Sequence, residues 1–242
     1  MDTKIELHSS VDLGIKQSMS LTYLISVINF MQKLNFIEEN KQVLQKNEII
    51  NDYKSFSISS IILSIAFFES TINEFFDDIS NNVHLENINN QKKVINDEYI
   101  RSVQYFKGEK ILEKPGIRMY EKYNIALVLA GISPISKDER ISRELKDLVD
   151  LRNELVHAKS EWVWLDNHEK LQKSKTVAFE NKFKHKFNLN PFVIDGPFFP
   201  NRCIGLGCAR WAISTVIDYS DEFFKRMGLM PRYEYLKPEL GF

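Results

Sequence analysis

"SFSISSIILSIAFFESTINEFF", residues 55 to 76, decides the fold class of this chain. Its apolar residues Phe56, Ile61, Ile65, Phe68, Ile72 and Phe76 recur mostly at three- and four-residue steps, the period of an α-helix. The densest apolar run, "ISSIILSIAFF" at 58 to 68, is shorter than the roughly 18 residues a membrane span needs, and Ser59, Ser60 and Ser64 interrupt it. The reading is therefore a buried core helix. Asn47 can cap it, Ile50 joins its stripe, and it runs to about Ile79.

Upstream, from about Ser18 to Gln45, Leu21, Leu24, Ile25, Ile28, Met31 and Leu34 repeat the same period. The two helices are expected to pair as an antiparallel hairpin. Downstream, "SNNVHLENINNQ" is an asparagine-rich loop, "INDEYIRSVQYF" restarts a shorter helix, and "GEKILEKPGIR" breaks it at Pro115 and Gly116. "MYEKYNIALVLAG" is a short apolar helix with Gly131 as its stop. Ser142 can cap the next helix, whose stripe is Leu145, Leu148, Leu151, Leu155 and Val156. Then the period changes: "EWVWL", "TVAFE" and "KFKHKFNL" alternate like strands, predicting an extended or β-hairpin insertion at about 160–202. A final helix, about 207–227, carries Trp211, Ile213, Val216, Ile217, Phe223 and Phe224. The expectation is an all-α bundle forming one domain over 1–242.

A net charge of -1, from 32 basic and 33 acidic residues, gives no global field toward nucleic acid or anionic lipid, so any basic site must be local. No secretory pattern opens the chain; the expected location is cytoplasmic, without membrane association. Cys203 and Cys208 stand five apart, the spacing of neither a zinc pair nor a redox motif, and read as packed thiols. His168 and His185 lack ligand spacing, so no metal and no cofactor is expected; His8 and His84 read as surface residues. "GLGCARW" follows no strand and is not a phosphate-cradling loop.

The stretch "LVDLRNELVHAK", 148 to 159, places Arg152, Asn153 and His157 on a helix that must also pack. Asn153 and His157, four apart, share a face, whereas Arg152 and His157 diverge by about 140°. They converge only if the helix bends after Val156 or if a second copy crosses it at a two-fold axis. Histidine moves protons near neutral pH and arginine neutralises a phosphoryl oxygen, the pair that metal-free RNA cleavage needs. In that reading His157 handles the 2′-hydroxyl or 5′-oxygen proton, Arg152 stabilises charge on phosphorus, and Asn153 orients the imidazole or the phosphate. The plainer alternative is a solvated helix whose Arg152 and His157 pair with Glu154 and Asp150.

"LRNELVHAK" resembles the Arg-Asn-x-x-x-His signature of the HEPN superfamily, all-helical domains of which many members are metal-independent endoribonucleases in toxin and antiviral systems. "AFFESTINEFF", with Ala66, Glu69 and Asn73, is similar to the helix that uncharacterised bacterial HEPN-like proteins carry ahead of that motif. "CARWAISTVIDYSDEFFKRMG" fits as the closing helix. The resemblance spans roughly Ser55 to Gly228. It implies a helical bundle of HEPN type, RNA as substrate, a homodimer with the cleft at its interface, and an antitoxin or defence-system partner protein. A non-catalytic helical interaction or nucleotide-binding module, one subunit of a larger defence complex, is the competing class.

Glu69 and Asn73 lie one turn apart on an apolar helix and are expected to be buried, with Arg152 or His157 as partners and a local lysine as the alternative. "KFKHKF", read as a strand, would set Lys182, Lys184 and Lys186 opposite Phe183 and Phe187; with Lys159 these are the candidate RNA-binding lysines. The alternative is a solvated hairpin. Trp162, Trp164, Phe198, Phe199 and Trp211 read as core or dimer contacts.

Overall fold

The computed structural model describes residues 17–42, 46–83, 85, 94–157 and 175–241. The long apolar stretch forms α2, Lys46–Ser80, about 52 Å long at 1.5 Å per residue. Around it pack α1 (Met19–Glu39), α3 (Asp97–Gly108), α4 (Met119–Leu129), α5 (Arg140–Val156) and α7 (Leu206–Met227). A short α6, Lys175–Phe183, rests on the turn at Phe198–Arg202, and a last 3-10 turn, Glu234–Leu240, touches α1. No β-strand occurs among the described residues.

By length and composition α2 can cross a membrane: its Ile49–Ser80 segment has a mean hydropathy of 1.5 over the best window, half of which is buried inside the bundle. Two of the three serines that interrupt its apolar run, Ser60 and Ser64, are satisfied within the helix. Ser57, Ser60, Ser64 and Thr71 each donate to the carbonyl four residues earlier, at 2.7 to 2.8 Å. These hydroxyls therefore enter the core without orphaned donors. Around them Phe68 stacks on Tyr123 at 4.4 Å, and Tyr123 meets Phe223 edge-on at 5.0 Å, tying α2, α4 and α7 together.

α1 is joined to α2 through its first turn. Ser18 stands at the N-cap, and the Glu74 carboxylate accepts from the Ser18 hydroxyl, the Ser20 hydroxyl and the Ser20 N–H at 2.7 to 2.8 Å. A negative group at a helix N-terminus is favourable on both hydrogen-bond and dipole grounds. The helix ends at Glu39 rather than Gln45, because the Asn40 side chain bonds back to the Phe36 carbonyl. α4 stops as expected: Gly131 adopts φ +70°, and Ile132 N–H closes onto Leu127.

Two expectations are corrected. Glu139, not Ser142, occupies the N-cap of α5, and its side chain accepts the Ser136 N–H instead of capping the helix. The segments "TVAFE" and "KFKHKFNL" are not strands: they form α6 and the turn after it. Phe179, Phe183 and Phe187 also recur at four-residue steps, and packing selects that period over alternation. Phe179 contacts Phe183 and Phe199 at 5.3 and 4.7 Å, and Phe183 meets Trp211 on α7 at 5.6 Å. "EWVWL", with Trp162 and Trp164, lies outside the described residues, as do Lys159, His8, His84 and His168.

The glycines of "IGLGC" serve packing. A Cβ on Gly207 would lie 2.3 Å from the Asn188 carbonyl oxygen, so only glycine allows this approach. Tyr53 donates to Glu38 and accepts the Leu206 N–H at 2.8 Å, fastening the start of α7 to α2. Cys203 and Cys208 are buried free thiols. Burial pushes Cys203 up to about 12 and Cys208 well above the ordinary thiol range.

Candidate functional site

α5 is strongly two-sided: Leu145, Leu148 and Leu151 are at most 1% exposed against the core. That stripe fixes the helix's rotation and aims its last turn outward. Arg152 is half-buried, and Asn153 and His157 are exposed. His157 is the C-cap: its N–H closes on the Asn153 carbonyl at 2.9 Å, and φ -110°, ψ 23° take the chain out of the helix there. The imidazole thus stands at the end of a rigid element rather than along its side. Arg152 Nη1 donates to Asn153 Oδ1 at 3.1 Å, while its Nε is buried with no hydrogen-bond partner. Within one chain, no hydrogen bond or ion pair joins Arg152 to His157 among the described residues.

The acid expected to support this group does not do so through a direct bond. Glu69 is half-buried and Asn73 is exposed, contrary to the expected burial. Asn73 Oδ1 instead accepts from Lys122 on α4 at 2.9 Å. The reason is rotational: Phe68, Ile72, Phe75 and Phe76 take the core side of α2, so Asn73 is turned toward the α4 side and solvent.

The lysines fare differently from their strand reading. Lys182 bonds Asp147 and Asp150 at 2.8 and 2.7 Å, and Lys186 bonds Glu144 and Asp147 at 2.6 and 3.1 Å. Asp147 and Asp150 hold the Lys182 ammonium above its ordinary pKa against the opposing effect of burial, which is the largest single contribution. Lys184 stays exposed. Two of the three lysines therefore dock α6 and its turn onto α5, instead of forming one open basic face. Glu144 also accepts the Trp211 indole N–H at 2.8 Å. Sequence reading missed this acidic row, although Glu144, Asp147 and Asp150 at three-residue steps and Lys182 and Lys186 four apart carry the signal.

Among the described residues, no group of three His, Cys, Asp or Glu side chains is placed to hold a metal ion. Comparison with protein-family models, curated proteins and solved structures found no match.

Proposed function

We propose that this chain is a HEPN-like endoribonuclease that cleaves RNA without a metal ion, acting as a homodimer in a bacterial toxin or phage-defence system. The observation that carries the reading is the end of α5, where His157 reaches solvent and the turn before it holds Arg152, whose buried Nε has no hydrogen-bond partner. A buried donor left unpaired costs about 1–3 kcal/mol, an expense a ligand oxygen would relieve. On a continuous helix Arg152 and His157 diverge by about 140°, so the reaction as proposed uses two copies of α5 facing each other.

In the reaction, one His157 takes the proton of a ribose 2′-hydroxyl as that oxygen attacks phosphorus. The P–O5′ bond breaks, and the 5′-oxygen leaves with a proton from the second copy's imidazolium. Arg152 guanidinium groups stabilise the charge growing on the phosphoryl oxygens, and Asn153 holds Arg152 in place through the bond already present. The products are a 2′,3′-cyclic phosphate and a 5′-hydroxyl.

The test is cleavage of single-stranded RNA by the purified full chain in the presence of a chelator, with solution mass measured alongside. His157→Ala is expected to reduce cleavage by at least about a hundredfold, the usual contribution of a general acid or base. A monomer in solution, or undiminished cleavage by the variant, sinks the reading in favour of a non-catalytic interaction module.

A further inference from the structure

Between α5 and α7 lies a cavity of about 330 Å³ whose wall includes Arg140, Ile141, Glu144, His185, Trp211 and Asp218. A wider cavity of about 730 Å³ shares Arg140, Ile141 and Asp218 with it, so these three stand where the two meet. Half of the polar side chains here are already committed. Glu144 accepts from Lys186 and Trp211, and the Thr215 hydroxyl donates to the Trp211 carbonyl. The side chains of Arg140, Asp218, His185 and Ser214 make no hydrogen bond among the described residues, and of these Arg140 and Asp218 are the oppositely charged pair.

Neither the Arg140 nor the Asp218 side chain makes a hydrogen bond, and they form no ion pair within 4.0 Å, with each other or elsewhere among the described residues. They still sense each other. Burial raises the Asp218 pKa, and the nearby Arg140 charge opposes that rise. Opposite charges that line one cavity without a bond between them offer an occupant two kinds of polar contact. Its occupant must present hydrogen-bond donors to a carboxylate and acceptors to a guanidinium, in two directions at once.

Among nucleobases that description selects guanine. Its N1–H and N2–H form a two-donor edge for a carboxylate, and its O6 and N7 form the adjacent acceptor pair that arginine engages bidentately. Adenine and cytosine would set a ring-nitrogen lone pair against the carboxylate, and uracil would offer one N3–H donor flanked by two carbonyl oxygens. Ile141 supplies an apolar surface beside the gap.

We propose that this cavity binds the guanine base of a nucleotide, with Asp218 accepting from N1 and N2 and Arg140 donating to O6 and N7. As a substrate-selecting site it rests on the RNA-cleavage reading, whereas the binding itself does not. Arg140 lies twelve residues before Arg152 on one helix, about 18 Å along its axis. A guanosine of a bound strand would therefore sit several nucleotides from the bond being cut.

The experiment is calorimetric titration of the full wild-type chain with 5′-GMP, 5′-IMP and 5′-AMP, none of which contains a cleavable linkage. GMP is expected to bind at least about tenfold more tightly than AMP, as one bidentate pair provides, with IMP between them because it lacks the N2 donors. Asp218→Asn should bring GMP and AMP within about threefold, and Arg140→Gln should weaken GMP by at least about fivefold. Both positions are exposed at the cavity wall, and circular dichroism checks that the helices persist. Equal affinities, absent GMP binding, or a preference that survives Asp218→Asn overturns the proposal. A single-guanosine oligonucleotide that outcompetes GMP identifies a strand residue as the ligand; the reverse order identifies a free nucleotide. GMP binding without RNA cleavage sinks the nuclease reading alone, and cleavage without GMP binding sinks this one alone.

Discussion

Two sets of charges on α5 differ in what they touch. In its first three turns, Glu139, Glu144, Asp147 and Asp150 are taken up by Arg226, Lys186 and Lys182, each within 3.1 Å. In its last turn, Arg152 bonds, among the described residues, to the neighbouring Asn153, and His157 is exposed. Both groups ride on the same leucine stripe, so packing does not explain the difference. Paired charges locate α6 and α7 against α5. A buried donor without a partner, as at Arg152 Nε, costs stability instead.

Substitutions in each set should have different consequences. Leu148→Ala removes the support common to both groups; unfolding free energy should fall by about 2–5 kcal/mol in urea titration, and cleavage should fail with the fold. Arg152→Met should separate the two properties. Cleavage is expected to drop by at least about a hundredfold, while the thermal midpoint holds or rises, since the unpartnered Nε disappears. A lowered midpoint would move Arg152 into the structural group.

Asp147→Asn should do the opposite. It weakens bonds to Lys182 and Lys186, lowering stability by about 1 kcal/mol with RNA cleavage unchanged. A cleavage defect without a stability change would mean that the paired charges also serve the reaction. The smallest effect is expected from Glu139→Gln. The Ser136 N–H, and after it Arg226, hold the Glu139 carboxyl below its ordinary pKa against partial desolvation. Its stabilising contribution is therefore present above the ordinary carboxylate range and lost as pH falls through the depressed value. The difference between wild type and Glu139→Gln should be measurable at neutral pH and vanish in strong acid; a difference that persists there would refute the linkage.

Much of the helical framework was legible because its signal is local. α2, α4, α5 and α7 follow from apolar spacing, and the end of α4 follows from Gly131, since period and capping depend on residues within a turn or two. α6 was not legible. Its aromatic residues fit both a two-residue alternation and a four-residue recurrence, and Trp211 and Phe199, distant in sequence, decided between them. The placement of Asn73 failed for a related reason: an apolar helix says that one face is buried, not which polar residue falls at its margin.

The amino-acid order alone determined the all-helical class, the leucine-striped α5 and the presence of Arg152, Asn153 and His157 within its closing turns, because neighbours along a chain set helical period. Only the tertiary structure decided that Lys182 and Lys186 are consumed by α5, that Asn73 answers to Lys122, and that Arg140 and Asp218, 78 residues apart, line one cavity. Whether a charge is paired or left open depends on which helices meet, and that follows from three-dimensional packing rather than from spacing along the chain.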